Sequence, residues 1–84
     1  MCTNGVNTSQ LDANLEQIDE LVALCRRWTH RNYHLADDAS MERTAKALKE
    51  AQAGLDDVRA ALDDARRAVE RDGSDASGVS VNLA

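Results

Sequence analysis

Two apolar lattices, each repeating every seven residues, run through this 84-residue chain out of phase with one another, and the mismatch limits the folds open to it. In the first, Leu11, Leu15, Ile18, Val22 and Cys25 alternate in steps of four and three, and Leu21, Leu24 and Trp28 widen the stripe. In the second, Leu48, Leu55, Leu62 and Val69 share one heptad position, with Ala51, Val58 and Ala65 between them. One unbroken helix would keep one phase. Carried forward by sevens from Leu11, Ile18 and Cys25, the first lattice reaches Asn32, Ala39, Lys46 and Ala53 and misses the leucines at 48, 55 and 62. The break predicts an all-α fold, an antiparallel two-helix hairpin of coiled-coil type.

Local signals predict where the elements begin and end. Residues 1–8 read as a polar leader, and Thr8 or Ser9 offers an oxygen to cap a helix over 9–34. Asp37, Asp38 and Ser40 are N-cap candidates in quick succession, which predicts a turn over 35–39 and a second helix over 40–72. Arg66, Arg67 and Arg71 complement the dipole of its last turns, with Gly73 as the C′ residue. The remainder, 73–84, is Gly/Ser-rich with Val79, Val81 and Leu83 alternating, and is expected to be a flexible tail. Folding the chain about residues 36 and 37 would set Leu11 against Leu62, Ile18 against Leu55 and Cys25 against Leu48, each pair of numbers totalling 73. Charge favours the same reversal: Asp12, Glu16, Asp19 and Glu20 would approach Arg59, Arg66 and Arg67, and Arg26, Arg27 and Arg31 would approach Asp37, Asp38 and Glu42.

A chain of this length buries too little surface to stabilise itself generously. Its apolar faces are also wider than one seam requires, because Ala47, Ala51, Gly54, Val58, Ala61, Ala65 and Ala68 form a small-residue track beside the leucines. The expectation is therefore a homodimer, closing a four-helix bundle, or the docking of a foreign protein helix on that track. The plainer reading is that alanine, the best helix former, fills surface positions.

The net charge of −5 disfavours adhesion to nucleic acid or anionic membrane. No run reaches the ~18–20 apolar residues of a membrane span, and Met1 to Gln10 lacks the basic and apolar regions of a secretory signal, so a cytoplasmic location is expected. Cys2 and Cys25 are expected to be free thiols, Cys25 as a small buried hydrophobe in the apolar stripe. In size and topology the chain resembles the small secreted helical hairpins marked by Trp-x-Gly at their turn. Trp28 is followed here by Thr29 and His30 and precedes the predicted bend by about two turns, so only the architecture is shared.

Three constellations bear on chemistry. His30 and His34 stand four apart on one helix face and are weak metal candidates, with Asp37 or Asp38 as a third ligand; solvated helix-end histidines read the same way. Arg27, Trp28, Arg31 and Tyr33, with Arg26 and the histidines, make the one basic-aromatic patch on an acidic chain and are the residue types that anchor interfaces. The same patch could stack a base and hold phosphates. The doublets Asp37-Asp38, Asp56-Asp57 and Asp63-Asp64 could imitate DNA phosphates, although solvated helix faces carry such pairs routinely. No nucleophile–base pair or phosphate-cradling glycine loop is found, so no enzymatic activity and no cofactor are expected. The sequence points to a noncatalytic protein–protein interaction module, a small regulator, inhibitor or adaptor. Nucleic-acid or metal binding at the His/Arg/aromatic patch, or acidic DNA mimicry, is the alternative.

Overall fold

The structure, a computed structural model, describes residues 7–83, with side chains through Gly73. It is an all-α hairpin of two helices, α1 (Thr8–Asp38) and α2 (Glu42–Leu83), packed along each other in a rod of 66 × 15 × 15 Å. The leader residues 1–6, with Cys2, lie outside the described residues. Asn7, rather than Thr8 or Ser9, caps α1: its Oδ1 accepts the Gln10 amide at 3.0 Å. The backbone of α2 runs on through Gly73 to Leu83, where the sequence predicts a C′ stop and a tail. Gly73 has no positive φ, so it continues the helix instead of ending it.

The reversal falls later than the capping signals predict. Asp37 and Asp38 finish α1 rather than cap α2, and the turn is Ala39–Met41. The Met41 amide donates to the Ala36 carbonyl at 2.8 Å and the Ser40 amide to the Asp37 carbonyl at 3.0 Å, the paired bonds of a Schellman motif. The C′ residue of that motif must be left-handed, and Ser40 takes that role at φ 61° without glycine's freedom. Met41 then supplies the carbonyl that accepts the Ala45 amide at 2.9 Å, starting α2 without a polar cap. Ala36 and Ala45, each 5% exposed, are the only buried residues among those described, and their small side chains let the helices converge beside the turn.

Each helix half-buries a series with alternating steps of three and four, the spacing of a coiled-coil seam. In α1 one row is Leu15, Val22, Thr29 and Ala36 and the other is Asp12, Asp19, Arg26 and Tyr33; in α2 the rows are Leu48, Leu55, Leu62, Val69 and Ala45, Gln52, Arg59, Arg66, Gly73. Half of the seam is thus polar. Arg59 binds Asp19 and Arg66 binds Asp12, pairs whose numbers total 78, while Arg26 binds Asp56 and His30 binds Gln52, pairs that total 82. The helices are therefore registered near 80, one heptad away from the predicted 73. The longer α1 and later turn cause the displacement, and the apolar lattices tolerate it because a slip of seven carries heptad positions onto themselves.

Candidate interaction surface

The two flanks of the seam differ in chemistry. Every cross-helix polar contact described lies on one flank. Arg59 grips Asp19 at two points, Nε to Oδ1 at 3.0 Å and Nη2 to Oδ2 at 3.3 Å, and Arg66 grips Asp12 in the same way at 2.9 and 3.2 Å. These hydrogen bonds hold both carboxyls below the usual carboxylate range, and the same bonds raise the two guanidinium groups. Towards the turn the flank continues with Arg26 on Asp56, His30 Nδ1 2.9 Å from Gln52 Oε1, and Lys49 Nζ 5.7 Å from the centre of the Tyr33 ring.

The opposite flank is uncovered and largely apolar, with Asn14 and Asn32 its polar members on α1. On α1, Leu21, Trp28 and Leu35 recur at sevens beside the row Leu11, Ile18 and Cys25, all of them exposed. Trp28 is 53% exposed and Leu35 61%. On α2 the equivalent positions hold Ala47, Gly54, Ala61 and Ala68 beside Ala51, Val58 and Ala65. In an antiparallel pair equivalent flanking positions of the two helices lie on the same side. The α1 ridge and the α2 small-residue track therefore form one continuous surface, with large side chains on one helix and small ones on the other. Cys25, expected to be buried, is an exposed free thiol here, because the seam takes only one apolar row of α1, that of Leu15, Val22 and Ala36, and its other row is Asp12, Asp19, Arg26 and Tyr33.

The structure divides the predicted basic-aromatic patch. Trp28 lies on the apolar flank with the Arg31 guanidinium stacked 4.7 Å from its ring centre. Tyr33 is half-buried on the polar flank, where its ring meets His34 edge-on at 5.3 Å. His30 and His34 touch each other, Nε2 to Nε2 at 3.0 Å, so one ring donates and the other accepts. Arg27 is exposed on α1 outside the seam. Among the described residues no three His, Cys, Asp or Glu side chains gather in a set that could hold a metal ion, so Asp37 and Asp38 do not join the histidine pair. The surface hollows are open and lined by charge, as at Asp19, Arg59 and Arg66. Among the described residues no helix is long and apolar enough to cross a membrane.

Comparison with protein-family models, with curated proteins and with solved structures finds no match for this chain.

Proposed function

We propose that this chain is a noncatalytic interaction module that works by presenting the apolar flank of its hairpin to a protein partner, as a small regulator, inhibitor or adaptor would. The observation that carries the reading is the asymmetry between flanks: one is occupied by ion pairs and hydrogen bonds, while the other leaves Leu21, Trp28 and Leu35 more than half exposed. Contiguous apolar surface of that kind, bordered by charge, marks sites of association. Trp28 with Arg31 stacked on it is the pairing of residue types that most often anchors an interface. The nucleic-acid and metal readings have less to stand on, since Trp28 and Tyr33 face opposite flanks and the histidines bind Gln52 and each other.

Site-specific photo-crosslinking tests the assignment. A photoreactive residue at Leu35, on the apolar flank, is expected to capture protein in the native cell, whereas the same residue at Lys49, on the polar flank, is expected to capture none. Capture from Lys49 alone would overturn the reading.

A further inference from the structure

The apolar flank is self-complementary. Arg26 meets Asp56 and His30 meets Gln52, so Trp28, midway between 26 and 30, stands level with Gly54, midway between 52 and 56. The largest side chain of the chain thus lies at the height of the one glycine inside the α2 track. A Cβ built on Gly54 meets nothing within 4 Å, so the space above it is open in the single hairpin. We propose that the flank is closed by a second copy of this chain, related by a twofold axis along the rod, so that α1 of each copy lies over α2 of the other and Trp28 seats against Gly54 of the partner copy.

This inference rests on the apolar flank being the interaction surface, and it adds the occupant and the geometry. An axis along the rod keeps every level, so the level match within one hairpin becomes a contact between two. It sets Leu35 over Ala47 and Leu21 over Ala61 by the same register. An axis across the rod would instead stack large residues on large and small on small, leaving the alanines facing a gap. Charge agrees with the first arrangement. The positions bordering the flank pair Arg31 with Glu50 and Asp38 with Arg43 at matching levels, opposite in sign both times. The remaining border residues on α1, Gln10, Gln17 and Leu24, are uncharged and face Arg71, Asp64 and Asp57 without repulsion.

Trp28 is the single tryptophan, so its emission reports the seat directly. The test is light scattering of the full chain across a dilution series, read together with Trp28 fluorescence and helicity. A dimer with blue-shifted emission, moving to the red as it dissociates, is expected. Gly54→Leu adds a good helix former into open space in the single hairpin but fills the seat in the dimer. It is expected to keep helicity and weaken dimerisation roughly a hundredfold, because the twofold axis counts each substitution twice. Arg31→Glu is expected to weaken the dimer and Arg31→Glu with Glu50→Arg to restore it, a readout that leaves Gly54 untouched. A chain that stays monomeric at high concentration overturns the second copy as occupant while leaving the flank open to a foreign helix. A dimer indifferent to Gly54→Leu but broken by Leu21→Glu overturns the Trp28–Gly54 geometry alone. A dimer indifferent to both overturns the flank as the interaction surface.

Discussion

Arg59 and Asp19 meet through two parallel hydrogen bonds, and Arg66 and Asp12 repeat that fork seven residues further along α2 and seven residues back along α1. The repeat acts as a vernier. Leucine lattices match equally well one heptad to either side, but only this register pairs both aspartates with arginines at once.

Charge reversal should expose that role. Asp19→Arg is expected to lower the melting temperature, Arg59→Asp to do the same, and the double exchange to recover most of the loss. Thermal unfolding followed by circular dichroism reads all three, and the losses should shrink in molar salt.

The same pairs give a pH dependence with a definite sign. Asp12 and Asp19 are depressed in the folded chain by hydrogen bonds from Arg66 and Arg59, so they stabilise it above the unfolded carboxylate value of about 3.9 and lose that contribution as pH falls through their folded values. The stability gap between the native chain and Asp12→Asn/Asp19→Asn should therefore be full near neutrality and close below about pH 4, as measured by melts in a pH series.

Ser40 occupies a left-handed position that costs an L residue roughly 1–2 kcal/mol. Ser40→Gly is expected to relieve most of that cost, less glycine's added chain entropy, for a net gain of about 0.5–1 kcal/mol. Ser40→Val should lose stability. Chemical denaturation of the three chains is the check.

The two helical glycines should answer differently to alanine. At Gly54 the added methyl enters open space, so under dilute conditions Gly54→Ala should gain about 0.5–1 kcal/mol. At Gly73 the new Cβ would lie 3.2 Å from Thr8 Cγ2, so Gly73→Ala should gain less. Paired melts would show both.

Cys25 offers a chemical probe of the apolar flank. Exposed in the single hairpin, it should be alkylated rapidly in dilute native protein. Its labelling rate should fall as protein concentration rises if the flank is covered by a second copy.

The phase break between two heptad lattices is enough to read the hairpin from the sequence, and Trp28 and Arg31 are recognisable as anchoring types. The register is not legible from the apolar residues, because a slip of seven replaces one leucine opposite Ile18 with another; the Asp12/Asp19 and Arg66/Arg59 spacing is the signal that decides it. The turn was obscured for a different reason. A helix stop normally carries glycine at C′, and Ser40 fills that place while looking like a cap for the next helix. The exposure of Cys25 is not legible either, because apolar spacing identifies a helix face without saying how many neighbours cover it.

The rod is only 15 Å thick, one helix pair deep, and among the described residues only Ala36 and Ala45 are fully sheltered from water. A molecule so thin has no private interior. The leucines that hold it together are neighbours of the ones it leaves exposed, so a substitution on the apolar flank is felt at once by the seam beneath it, and any surface laid on that flank would act as a missing wall.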